Sequence, residues 1–240
     1  MKVEIQNDVY VILLLTVFLG AGMMICSKKI DRLDPFVRPK GITAAVIMGI
    51  MRVYQTCSGN MGKTNGERIT PYIVVLWSYI FLANIVSLFG LESPTANLSV
   101  TLLLALITWV LIQAVEFRYG GIGAYFHSFI EPIPVMLPLN IIGKFSTMIS
   151  MSLRLFGNIT CGGIMMQLVY IGAQLLSNLI AGFFTKTSAE VFNFMAPLLT
   201  PLLHAYFDVF AGFIQTLVFV TLTVVLIGND VPNDVKEKQG

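Results

Sequence analysis

Charge-free apolar runs alternate with short polar breaks along most of this chain, and several runs are longer than a soluble helix requires. Residues 9–26 (VYVILLLTVFLGAGMMIC) carry no charge over 18 positions. That is about 27 Å of helix at 1.5 Å per residue, close to the roughly 30 Å hydrocarbon core of a bilayer. This run predicts a first span, and Glu4 and Asp8 ahead of it carry the wrong charge for a signal peptide, so it is expected to be retained. Residues 41–56 differ: Arg52 and Gln55 interrupt them, while Ile47, Ile50, Met51 and Tyr54 recur at helical spacing. They predict an amphipathic interfacial helix. Residues 69–91 and 98–115 are charge-free and joined by the turn Glu92–Asn97, which predicts a helical hairpin.

The last two apolar stretches are too long to stand upright. Pro132 to Thr185 contains only Lys144 and Arg154 as charges, and Val191 to Asn229 only Asp208. Fully helical, they would reach about 80 Å and 58 Å, so each must tilt or break. Pro197 and Pro201 predict a break near the start of the second, leaving Leu202–Gly228. A loop is expected around Ser177–Glu190, with Thr187 or Ser188 as the N-cap of the following helix. The reading is an all-α integral membrane protein forming one domain. It has five transmembrane helices plus the interfacial helix, and the last two, 138–176 and 190–228, form a long, strongly tilted hairpin.

Composition agrees. Charged residues make up 12 % of the 240 positions and hydrophobic ones 56 %, against roughly 25 % charged in a soluble domain. Mean hydropathy is +0.80. A net charge of +2 without any basic block excludes nucleic-acid binding. Cys26, Cys57 and Cys161 are odd in number and widely spaced, so neither a disulfide framework nor a zinc site is indicated. The basic residues give the orientation. Lys28, Lys29, Arg32, Arg38, Lys40, Arg52, Lys63, Arg68, Arg118, Lys236 and Lys238 all fall on one side if five spans alternate. The positive-inside rule then puts the N-terminus outside and the C-terminus in the cytoplasm.

A charge at mid-bilayer costs at least about 2.5–3.5 kcal/mol, so each one needs a partner or a wet cavity. Arg154 lies in Ser152-Leu-Arg-Leu-Phe-Gly-Asn158, with Asn158 at i+4 and Cys161 at i+7, while Gly157, Gly162 and Gly163 permit close helix approach. Counted from Pro138 and Gly228 as cytoplasmic ends, Arg154 lies about 24 Å deep, Gln215 about 20 Å and Asp208 about 30 Å. Asp208 and Gln215 share a face across Gly212, and His204 extends it outward. Two readings stand: a static Arg154–Asp208 pair joining two helices, or a functional ion site. Lys144, near a helix start, reads as an interface anchor able to snorkel. His204 beside Asp208 is only half a metal site, with His127 the one other histidine, so no metal or cofactor is expected. No GxxxxGK[ST], GxSxG, HExxH or GxGxxG motif occurs, so any ATP chemistry belongs to a partner.

Ser152–Asn158 resembles the signature of subunit a of the F-type ATP synthase membrane sector. Pro94-Thr-Ala-Asn97 before Leu98-Ser-Val-Thr101, Gly143-Lys144, Phe213-Ile-Gln215 and Thr221-Leu-Thr-Val224 agree in order and spacing. The resemblance covers roughly Phe81–Ile227. It implies a non-catalytic stator and ion channel in a bacterial plasma membrane, lying against a ring of c subunits and held with peripheral-stalk b subunits and the remaining ATP synthase subunits. Arg154 would displace the ion from each ring carboxylate and keep two aqueous half-channels apart, with Gln215 and Asn158 as polar neighbours. Some members carry Glu at the position of Gly163 and His at that of Asp208, so here the outer half-channel should depend on Asp208. Asn97 stands where many members have Asp. With Asn84 and Glu92 it is expected to line the outer half-channel, and Lys144 and His204 complete the lining residues. The alternative is an independent secondary transporter whose Arg154 binds an anionic substrate.

Overall fold

The computed structural model describes residues 7–32, 39, 41–130, 134–184, 196–232 and 235–236. Among them every regular element is helical, and five segments are long and apolar enough to cross a membrane: Val9–Asp31, Lys63–Phe89, Leu98–Gly123, Pro134–Ile180 and Ala196–Asn229. The protein is an all-α integral membrane protein.

Helix α1 (Asn7–Asp31) touches the rest of the molecule along one narrow stripe. Val11 and Leu15, one turn apart, are buried, whereas Leu13, Leu14, Val17, Phe18, Met24 and Ile25 are exposed. An apolar surface of this extent is stable only in lipid.

Helix α2 (Ile42–Met61) runs five residues beyond the expected 41–56 and is more than an interfacial strip. Cys57 and Met61 in its last turns are fully buried in the core, while Ile42, Met48 and Met51 stay exposed. It reverses into α3 (Lys63–Ile85) at one residue, Gly62, whose φ of 84° favours glycine. Just beyond, a Cβ on Gly66 would stand 2.7 Å from the Ser58 Cα, so the corner closes only because that side chain is missing. The polar letters between Thr56 and Gly66 conceal this packing, because side-chain amides there satisfy the backbone: Asn60 donates to the Thr56 carbonyl and Asn65 to that of Met61.

A 3₁₀ turn (Val86–Phe89) ends at Gly90 in the left-handed region, and a second (Pro94–Ala96) leads into α4 (Leu98–Ile130). Helix α4 outlasts the predicted 98–115. At Gly121 (φ 71°, ψ 172°) it kinks and folds its last residues back along itself, with the Tyr125 hydroxyl donating to Gln113 at 3.0 Å.

Helix α5 (Leu137–Phe184) is continuous over 48 residues, about 72 Å at the helical rise. Such a helix remains in a hydrocarbon slab of roughly 30 Å only by leaning strongly. The expected break at Pro197 and Pro201 is absent. Both prolines lie inside α6 (Ala196–His204), which passes through a π-helical turn (Ala205–Ala211) into α7 (Gly212–Asn229). Pro197 occupies the first turn, where no N–H is needed. Pro201 forfeits one backbone bond, which membrane helices tolerate when a neighbour packs alongside, and α5 does so here. Residues 190–195, and the proposed caps Thr187 and Ser188, lie outside the described residues.

The core joins Ile73, Leu76 and Ile80 of α3, Ala105 and Ile112 of α4, Met151 and Leu155 of α5, and Phe219, Val224 and Ile227 of α7. Lipid tails are as apolar as these side chains, so packing and interhelical hydrogen bonds supply the specificity. Thr108 meets Tyr72 at 2.8 Å and Thr101 meets Ser152 at 3.2 Å.

Candidate functional site

The register of α5 decides what Arg154 faces. Met151, Ser152 and Leu155 turn into the bundle, so Leu153 and Arg154 emerge on the outer face. Arg154 is exposed, and its guanidinium makes no hydrogen bond or ion pair with any described residue. The static pair with Asp208 left open by the spacing does not form. Asp208 is 5 % exposed, and its carboxylate is held by His204 Nδ1 at 2.5 Å.

Depth explains the difference. A Cβ on Gly162 would sit 3.4 Å from the Phe207 ring, so the π turn packs against α5 eight residues beyond Arg154, about 12 Å along its axis. Asp208 is thus level with Gly162–Gly163 and not with Arg154. Counting residues at a uniform helical rise misses this, because the π turn and the lean of α5 both shift the register.

Two amides are left over. Asn158 Nδ2, one turn beyond Arg154, and Gln215 Nε2, on α7, are buried atoms with no hydrogen-bond partner among the described residues. The Thr160 hydroxyl is in the same state. Buried donors without acceptors cost about 1–3 kcal/mol each. Asn158 and Thr160, within two turns of the unpaired Arg154 on the same helix, make a stretch of α5 short of acceptors, and therefore suited to a carboxylate brought by another molecule.

Of the other expected lining residues, Asn84, Asn97 and Lys144 hold partners within the protein and, among the described residues, Glu92 does not. Asn84 is fully buried and fully used: its Nδ2 donates to the Gly212 carbonyl at 3.1 Å and to Thr216 at 3.4 Å, and its Oδ1 accepts from Thr95 at 3.2 Å. It ties α3 to α7 and does not line an open path. Asn97 Oδ1 accepts the Ser99 N–H at 3.0 Å and caps α4. Glu92 is exposed at the turn. Lys144 does not snorkel. Its ammonium lies 2.5 Å from Glu116 and 3.1 Å from Ser128. Glu116 went unnoticed in the sequence, although one acid and one base near the same end of two antiparallel helices is the signal that finds it.

Comparison with known proteins settles the family. The family model described as ATP synthase A chain matches residues 9–228. The chain belongs to this family. Among curated relatives it is 33 % identical over 191 residues to the sodium ion specific ATP synthase subunit a of Propionigenium modestum, covering 73 % of this chain and 57 % of that one. It is 31 % identical over 204 residues to ATP synthase subunit a 1 of Hahella chejuensis, covering 85 % and 79 %. With ATP synthase subunit a of Oceanobacillus iheyensis it shares 30 % identity over 207 residues, covering 82 % and 80 %. The chain therefore spans a little over half the length of the first of these relatives and about four fifths of the other two.

Proposed function

We propose that this chain is the ion-translocating stator subunit of a rotary ATP synthase in a bacterial inner membrane. It docks α5 against a c-ring, is held by b subunits, and leaves ATP chemistry to other subunits. The supporting observation is the exposed Arg154, without a partner among the described residues, one turn from the unsatisfied amide of Asn158. A guanidinium stays protonated at any working pH, so it attracts a passing carboxylate without carrying protons itself and blocks a continuous leak between two half-channels. Asp208, about 12 Å away toward the Glu92 end, relays ions in the outer half-channel, with His204 orienting its carboxylate. The excess of basic residues at the opposite end assigns that end to the cytoplasm.

ATP-driven ion pumping in inverted membrane vesicles tests this. Arg154→Ala abolishes pumping while the complex still assembles, and Arg154→Lys fails as well, because a compact ammonium does not reproduce the planar fork. Near-normal pumping by either variant at normal assembly refutes the role.

A further inference from the structure

The end of the bundle remote from Glu92 holds a second polar cluster that the path described above does not use. Glu116 lies on the straight part of α4, Lys144 two turns into α5, and Asp230 directly after the last residue of α7. The kink at Gly121 folds the end of α4 over them. Lys144 Nζ consequently sits against Glu116 at 2.5 Å and Ser128 at 3.1 Å, and over the rings of Tyr125 and Phe129 at 4.6 Å and 4.2 Å. An ammonium has three donors, and here all are engaged with fixed groups or ring faces.

Asp230 is left over. The cluster contains two acids and one base, so with Glu116 neutralised by Lys144 one negative charge remains, and a single proton makes the group neutral. Among the described residues no group donates a hydrogen bond to Asp230, which lines two cavities. A cavity of about 210 Å³ between α4, α5 and α7 is lined by Gln113, Glu116, Lys144, Thr147 and Asp230. A second, of about 240 Å³, is bordered by Glu116, Tyr119, Tyr125 and Asp230. A water takes up roughly 30 Å³ in the liquid, so each holds several, and Glu116 and Asp230 stand where the two adjoin. Thr147 is on the stripe of α5 that leads to Arg154 seven residues later, and Lys144 is about 15 Å from it at helical rise.

Burial raises the Asp230 carboxyl, the charge of Glu116 adds to this and Lys144 opposes it, leaving it at about 6. Tyr119 and Tyr125 border the second cavity, their hydroxyls donating to Asn65 and Gln113. On the far side of α7, α2 brings Asn60 against Gly228, and the charges of the α2–α3 corner, Lys63, Glu67 and Arg68, are exposed to solvent.

Resting on the reading of Arg154 above, we infer that Asp230 is the acid through which protons pass between the Arg154 groove and bulk water at this end of the bundle, with the Glu116–Lys144 pair as its positioning element. In one direction a hydronium in the inner cavity gives a proton to a carboxylate oxygen of Asp230: one hydronium O–H bond breaks, leaving water, and the carboxyl O–H forms. That O–H then breaks as a bulk water takes the proton and becomes hydronium, and Asp230 is again a carboxylate. Glu116 is engaged by the fixed ammonium, and Asp230 is the carboxylate left to carry the exchange.

The test uses the assembled complex in inverted vesicles, measuring proton conduction through the membrane sector after the soluble subunits are stripped, with external pH varied. Asp230→Asn lowers conduction about tenfold or more and removes its pH dependence near 6, whereas Asp230→Glu preserves both. Glu116→Gln moves the midpoint to lower pH and Lys144→Met to higher pH, since one substitution removes an anion and the other a cation beside Asp230. A structural role for the cluster predicts no such opposite shifts. Normal conduction with an unchanged profile in Asp230→Asn, or midpoints that move the same way in both partner variants, overturns the inference. ATP-driven pumping by Arg154→Ala in parallel separates the two readings: if that variant is silent while Asp230→Asn is normal, only this inference fails.

Discussion

Two polar groups sit on either side of the α5–α7 packing and have opposite fates. Around Asn84 every polar atom has an answer within the protein: Ser93 donates to the Ala83 carbonyl at 2.7 Å, Ser93 and Thr95 meet at 2.8 Å, and the Asn84 amide reaches Gly212 and Thr216. The Arg154 cation, the Asn158 and Gln215 amides and the Thr160 hydroxyl have none among the described residues. The first arrangement is complete, so removing a member destabilises the subunit. The second is incomplete, so removing a member spares the subunit and disables what it meets.

The most damaging substitution outside Arg154 should be Asp208→Asn. The amide keeps the size and a hydrogen bond to His204 but does not titrate. Pumping should fall severely with subunit abundance unchanged, read from vesicle pumping alongside immunoblots; normal pumping would break the relay half of the comparison. Asn84→Leu should do the reverse. It removes the bonds that the Asn84 amide gives to Gly212 and Thr216 and the one it accepts from Thr95, at about 0.5–1.5 kcal/mol per bond. Assembled complex should therefore drop sharply in native gels, and wild-type assembly would show that the satisfied cluster is not a clamp.

A smaller, partial effect sharpens the relay. Gly163 lies at the level of Asp208, next to the Gly162 that touches Phe207, and a Cβ there meets nothing within 4 Å. Adding Gly163→Glu to Asp208→His should restore part of the pumping lost in Asp208→His alone. No gain on adding the glutamate would confine the acid to α7. The mildest probe is Glu92→Cys, which should leave pumping intact and react with an impermeant thiol reagent from outside intact cells. Its neighbour Ser93 is 4 % exposed and unsuitable as a label site. Labelling only from the cytoplasmic side would invert the whole path.

The five spans were readable because uninterrupted apolar runs leave few alternatives in lipid. Arg154 was readable for the same reason: a lone charge in such a run calls for an explanation. The α2–α3 corner was not, since a glycine at positive φ and a glycine under close contact look alike in sequence, and the polar letters around them suggest exposure. Pro197 and Pro201 misled because proline stops helices in water more reliably than in lipid beside a packed neighbour. The levels of Asp208 and Arg154 were off by several ångströms because a π turn has no sequence signature. Asp230 was overlooked as part of a polar tail, although the kink at Gly121 and the end of α7 enclose it.

The π turn at Ala205–Ala211 amounts to one residue more than an α-helix of the same length holds. Deleting a single position within it would let the segment relax into ordinary α-helix. His204 and the residues before it would then face nearly the same way as now, because the wider π turn had absorbed the extra residue. Relaxing to α-helix without a deletion would instead swing α6 by about 100° around the axis relative to a seated α7. The π turn therefore sets which way the polar face of α6 points for a chain of this length.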